Sequence, residues 1–191
     1  MSETPSATPN APHNATANDL TAYLAGYDAW LAANRPQMEA GEFGPTFKTY
    51  PHVTHATAPF AKLQKPLHEC TLALVSTAGL YLKGSQQPFD ADNIEGDSSL
   101  RTLPTGTPHQ AMAIAHTHYN HASAEADRES VYPITRLEEL VAAGKIGRLA
   151  SNQFSVSGYC TRADQMAGET APEIVAALKA EGVDAVLLVP V

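Results

Sequence analysis

The chain has 191 residues, enough for one core-bearing domain and a tail. Its net charge of −8 speaks against a surface built for nucleic acid or for an anionic membrane. No apolar run approaches the roughly 18 residues that span a bilayer, and no signal peptide is read at the N-terminus. The two cysteines, Cys70 and Cys160, show neither CxxC nor metal-type spacing. Both are read as small buried hydrophobes in a reduced, cytoplasmic protein.

Residues 1–17 are rich in Thr, Pro, Ala, Ser and Asn and are expected to be a disordered tail. Residues 18–191 are expected to form a single α/β domain. Asn18 or Asp19 can cap a helix running to about Asn34. Its apolar side carries Leu20, Tyr23, Leu24, Tyr27, Trp30 and Leu31, and Arg35-Pro36 is expected to end it. Residues 41–66 read as irregular, with Pro45, Pro51, Pro59 and Pro66 and two surface histidines, His52 and His55.

Cys70 to Ser76 reads as a buried strand running into the small residues Thr77-Ala78-Gly79. Hydroxyls and small residues at a strand's carboxyl end let a ligand approach backbone N–H groups. Ser76 and Thr77 are therefore candidates for substrate binding. Lys83 to Pro108 reads as a long polar loop. Its acidic run invites a calcium reading, but counted from Asp90 the glycine falls at position seven and Arg101 at twelve, so an EF-hand is rejected. Asp97, Ser98, Ser99 and Arg101 bring an acceptor, donors and a fixed cation together. An arginine can hold a carboxylate bidentately.

The apolar run Ala111–Ala115 ends in His116-Thr117-His118-Tyr119-Asn120-His121. On a strand, His116 and His118 point the same way. Such a pair suits proton transfer near neutral pH. Histidines satisfied by neighbouring backbone are the bland alternative. His116, His118 and His121 also read as a zinc set. The pattern resembles the HxHxDH motif of metallo-β-lactamase-fold hydrolases, with Asn120 in place of its aspartate.

A helix is predicted over Arg136–Ala143, closed by Gly144, with a short strand or connection in 145–150 and another strand within 152–159. Thr170 and Glu173 have capping-box spacing before a helix, and Gly182 suits its C-terminal cap. Val183–Val189 is an almost unbroken apolar run, read as a strand covered on both faces. The fold class is α/β, a Rossmann-like parallel sheet flanked by helices. Ligands of such sheets sit beyond the carboxyl ends of the strands.

Several phrases in order resemble the selenoprotein B family, the B-type subunits of glycine, sarcosine, betaine and D-proline reductases, with the D-proline branch nearest. They are Phe89 through Pro104, His116-Thr117-His118-Tyr119, Val131 through Leu140 with Gly144-Lys145-Ile146-Gly147, and the ending from Glu169 to Val191. The likeness runs from about Leu67 onward. It implies an oxidoreductase that reductively cleaves a C–N bond α to a carboxylate. In the family a selenocysteine or cysteine is the nucleophile, just after the strand that here ends Val189-Pro190-Val191. The chain lacks that residue. The expectation is a truncated sequence with selenocysteine immediately after Val191 in the full-length protein, no cofactor of its own, and no activity alone. His116 or His118 would protonate the leaving amine; Arg101 with Ser98 or Ser99 would hold the carboxylate. The partners implied are a small amine or amino-acid substrate and other reductase subunits, with room for a homo-oligomer and no nucleic acid or membrane. Two alternatives stand beside this: a zinc hydrolase using His116, His118 and His121, and a non-catalytic subunit or fragment.

Overall fold

The computed structural model describes residues 17–53 and 61–191. The expected tail up to residue 16, and His55 and Pro59, lie outside the described residues. The chain divides into two compact units, Met1–Lys62 and Leu63–Val191.

In the first unit α1 (Ala17–Glu39) is followed by α2 (Phe43–Thr46) and a 3-10 turn, Phe47–Thr49. The aromatic stripe packs as expected. Tyr23, Tyr27 and Trp30 are buried, Trp30 meets Tyr50 edge-on at 5.0 Å, and the indole N–H donates to the Thr46 carbonyl at 3.1 Å. Leu24, by contrast, is exposed. The helix does not stop at Arg35-Pro36; it runs on to Glu39 with Pro36 inside. An interior proline costs about 3 kcal/mol. Here the next turn closes regardless, since the Ala40 N–H bonds to the Pro36 carbonyl at 3.1 Å and Met38 is fully buried.

The second unit contains, in chain order, β1 (Thr71–Ser76), β2 (Leu80–Leu82), β3 (Arg101–Pro104), β4 (Met112–Ile114), α3 (Ala122–Ala126), α4 (Ile134–Ala142), β5 (Arg148–Leu149), β6 (Asn152–Ser155), α5 (Ala163–Gln165), a π-helical turn (Met166–Thr170), α6 (Ala171–Ala180) and β7 (Ala185–Val189). This is an α/β fold around a mostly parallel sheet. All six residues of β1 are buried. β1 is parallel to β7 over Leu72–Ser76. It is also parallel to β5 at its start and to β6 at its end, so these two share its other side. Gln153, fully buried, fills the gap between β5 and β6. Its Oε1 accepts from the Leu74 N–H at 2.5 Å, and its amide donates to the Ala150 carbonyl and to Thr105 Oγ1. A ladder gap that would orphan a buried donor is thus closed by a side chain.

The expected polar loop 83–108 contains β3, antiparallel to β6 with Arg101 opposite Ser155. β2 and β4 form a separate antiparallel ribbon. The apolar face of α4, with Ile134 and Leu137, packs into a core with Leu74, Leu103, Tyr132 and Ile146.

Two expectations at the closing segment are corrected. Thr170 is not a helix cap: it has helical dihedrals, and its hydroxyl donates to the Ser98 carbonyl at 2.5 Å. The Ala171 N–H that opens α6 is already bonded to the Met166 carbonyl of the preceding π-helical turn. β7 is parallel as predicted but is not covered on both faces. It pairs only with β1 among the described strands, and Val186, Leu187 and Leu188 are exposed.

Candidate functional site

The carboxyl ends of β1, β6 and β7 converge at one rim of the sheet. The Thr77 N–H donates to the Val189 carbonyl at 3.0 Å, and the Val191 N–H donates to Thr77 Oγ1 at 2.9 Å. Gly158, after β6, completes the contact. A Cβ there would lie 3.0 Å from the Thr77 carbonyl oxygen and 3.1 Å from that of Val191. Gly79 brings in the fourth strand end. At φ 70° it donates to the Val156 carbonyl and accepts from the Ala115 N–H. A Cβ at Gly79 would sit 2.6 Å from the Ala115 oxygen. This close approach delivers His116, the next residue, to the rim.

His116 and His118 do not share a strand face as expected, because β4 ends at Ile114 and both lie in the following turn. Their rings are 5.8 Å apart at 75°. His116 is buried. Its Nδ1 faces the His118 N–H at 3.1 Å and its Nε2 faces the Tyr159 N–H at 3.2 Å. A neutral imidazole has one acceptor nitrogen, and an imidazolium has none. Protonation would set N–H against N–H on both sides. Burial, and then the nearby charges of His118 and His121, push the His116 pKa down to about 4.

His118 is exposed and lies flat on Tyr159, with centroids 3.6 Å apart and planes 7° from parallel. Its Nδ1 is 3.2 Å from Thr117 Oγ1. That hydroxyl spends its hydrogen on the Ala91 carbonyl at 2.7 Å, so it accepts the Nδ1–H. The neutral ring therefore keeps Nε2 unprotonated. Burial lowers the His118 pKa.

His121 packs on Tyr119 at 4.4 Å, and its buried Nε2 has no hydrogen-bond partner. Among the described residues no group of three His, Cys, Asp or Glu side chains is placed to hold a metal ion. The zinc alternative thus lacks a ligand geometry, and His116 already turns both nitrogens to backbone donors.

The loop carrying Asp97, Ser98, Ser99 and Arg101 reaches the same rim, since Arg101 pairs with Ser155. Its polar groups are largely turned inward. Asp97 accepts from the Asp90 N–H at 2.8 Å and from both the N–H and the hydroxyl of Ser99. Burial works against the Asp97 charge, yet these bonds and the nearby Arg101 hold its pKa below the usual value. Ser98 donates to Gln165 Oε1 at 2.8 Å. Arg101 donates to the carbonyls of Gln87, Pro88 and Leu100 and to Ser99 Oγ, spending four of a guanidinium's five donors, and it stacks over Phe89 at 4.2 Å. Ser76 is sealed: its hydroxyl donates to the Val131 carbonyl at 2.7 Å and accepts from the Ala78 N–H. Thr77, at the end of β1, is half-buried and its hydroxyl accepts from the Val191 N–H at the rim.

Tyr159 is the residue that sequence reasoning missed. Its hydroxyl donates to the Ile94 carbonyl at 2.5 Å, and burial pushes its pKa up to about 12. Beside it, the N–H and hydroxyl of Thr161 both donate to the Glu95 carbonyl. Gly96, at φ 81°, approaches so closely that a Cβ would meet the Tyr159 oxygen at 2.2 Å. The available signal was a Ser-Gly-Tyr sequence directly after a strand run.

The chain is 34% identical over 124 residues to the D-proline reductase subunit gamma of Acetoanaerobium sticklandii, a match covering 65% of this chain and 50% of that subunit. It is 32% identical over 126 residues to the glycine reductase complex component B subunit gamma of Carboxydothermus hydrogenoformans, covering 65% of this chain and 28% of the relative. The matched region thus spans half, or less, of these curated relatives. No solved structure gives a significant match. The family model for glycine/sarcosine/betaine reductase selenoprotein B matches residues 42–191, and the chain belongs to that family.

Proposed function

We propose that this chain is part of a reductase subunit that cleaves a C–N bond α to a carboxylate, with the rim around His118 and Thr77 facing the substrate. The observation that carries the reading is the meeting of the β7 end with the histidine turn. Val191 and Tyr159 flank Gly158, and Tyr159 holds both His116 and His118. A selenocysteine or cysteine from outside these 191 residues would supply the nucleophile that displaces the amine.

The roles divide between the two histidines. His116 stays neutral and positions the Tyr159 backbone and the turn. His118 carries the proton on Nε2 and passes it to the departing nitrogen; the neutral ring has its only hydrogen on Nδ1, held by Thr117. The rate then requires the imidazolium. It falls as pH rises through a pKa below the ordinary 6.5 or so. Thr77 and the remaining N–H of Arg101 are offered to the substrate carboxylate, while Asp97, Ser98 and Ser99 keep the arginine loop in shape.

The test is the native complex, purified with its partner subunits and assayed for amine release from glycine and sarcosine and for ring opening of D-proline. Cleavage of one of these, cut about 100-fold by His118→Gln, is the expected result. A complete complex that cleaves none of them, or one indifferent to His118→Gln, would overturn the proposal. Mass spectrometry of the native subunit for selenium tests the identity of the nucleophile separately.

A further inference from the structure

The proposed reaction leaves two buried nitrogens unused. His121 Nε2 and Arg128 Nη1 are both shut off from solvent, and neither has a hydrogen-bond partner among the described residues. A guanidinium carries only donors, and its charge is permanent. Burying such a donor without an acceptor is costly. The neighbouring carboxylates do not supply one. Glu129 accepts from the N–H groups of Thr135 and Arg136 and pairs with His109. Asp127 accepts from the Glu129 N–H, and Glu125 is exposed. Arg128 takes part in no ion pair among the described residues.

Both nitrogens belong to a segment that is tied at its two ends to the end of β1. At one end the Tyr119 hydroxyl donates to the Ala78 carbonyl at 3.2 Å. At the other the Val131 carbonyl accepts from Ser76 Oγ at 2.7 Å. Between these ties His121 precedes α3, and Arg128 follows it. A run of rings joins His121 to the histidine turn. Centroids are 4.4 Å apart from His121 to Tyr119, 4.9 Å from Tyr119 to His116 and 5.8 Å from His116 to His118. Arg128 acts on the same place. Burial raises the Tyr119 pKa, and the Arg128 charge, opposed by that of Glu125, pulls it back down.

We propose that His121 Nε2 and Arg128 Nη1 together bind a small carboxylate, that of the substrate. The assignment to the substrate rests on the reaction proposed above; the anion site does not. An ionised carboxylate only accepts, so it can satisfy both nitrogens at once. Arg128 donates to it, and His121 takes the tautomer with its hydrogen on Nε2. A carboxamide in its place would turn N–H groups toward one of the two donors. Arg128 then carries the charge of the grip. Arg101, with four donors bound to its own loop and to Gln87 and Pro88, contributes only its remaining N–H.

The experiment titrates the native subunit, labelled with 15N-histidine, with sodium acetate against sodium chloride at equal ionic strength. The expected result is a saturable shift of the His121 ring signals with acetate and none with acetamide. Arg128→Gln should raise the half-saturating acetate concentration at least about tenfold. In the native complex Arg128→Gln should raise KM for the substrate cleaved at least about tenfold, with a smaller change in kcat, and Arg128→Lys should recover only part of it. His121 signals indifferent to acetate, or equal responses in the wild type and Arg128→Gln, would overturn the inference. So would a stronger response to inorganic phosphate than to acetate. An acetate response in a complex that cleaves no C–N bond would support the anion site and overturn the reaction alone.

Discussion

The His118 imidazole lies parallel to the Tyr159 ring at 3.6 Å, although 41 residues of chain separate the two. The contact joins the turn after β4 to the turn after β6, and it partly dries one face of an otherwise exposed histidine. Burial is the cause of the lowered His118 pKa. Removing the tyrosine ring should therefore raise that pKa toward the ordinary value. Imidazole NMR titration of Tyr159→Ala should show the rise, and Tyr159→Phe should titrate like the wild type. Identical curves for all three would mean the stack does not set the environment of His118.

His116 gives the fold a defined acid sensitivity. Its folded pKa is about 4, against an ordinary value of 6.5. Between those values the unfolded chain binds a proton that the native ring does not, so stability rises with pH across the window. The contribution is complete above pH 6.5 or so and is lost as pH falls toward 4. Urea midpoints measured at pH 7 and pH 5 should differ more for the wild type than for His116→Gln. An equal slope would remove His116 from the account.

Gly96 holds the acidic loop against Tyr159 and Cys160, with a bridge pairing it to Cys160. A Cβ there meets backbone at 2.2 Å and in a left-handed conformation. Gly96→Ala should cost about 2 kcal/mol or more, seen as a lower thermal midpoint. Gly168→Ala, where a Cβ meets nothing within 4 Å, should lie within about 0.5 kcal/mol of the wild type.

Arg101 serves its own loop as well as the rim. Arg101→Ala strips donors from three carbonyls and uncovers Phe89, so the segment 87–100 should become more sensitive to limited proteolysis and stability should fall by about 2 kcal/mol. Arg101→Lys should recover less than half of this, because one ammonium cannot span carbonyls on both sides of a planar fork. Full recovery by lysine would show that charge alone matters there.

Much of the molecule was legible in short stretches of sequence. The apolar stretch Leu72–Val75 of β1, the amphipathic spacing of α4 and the Gly182 cap of α6 all announced themselves through local periodicity and turn chemistry. The phrases from Phe89 to Val191 carried the family. The histidine turn was visible as a cluster, but its division of labour was not. His116 is committed by N–H groups two and forty-three positions away, and His118 by a tyrosine that no local pattern marks. β3 hid in a polar stretch because a short edge strand on a solvated face needs few apolar residues. β7 was read as doubly covered because its side chains suit burial, whereas its actual exposure depends on what lies beside it. Periodicity records the environment a segment is built for; pairing, coverage and proton placement arise between residues far apart along the chain, and so they emerge only when those residues meet.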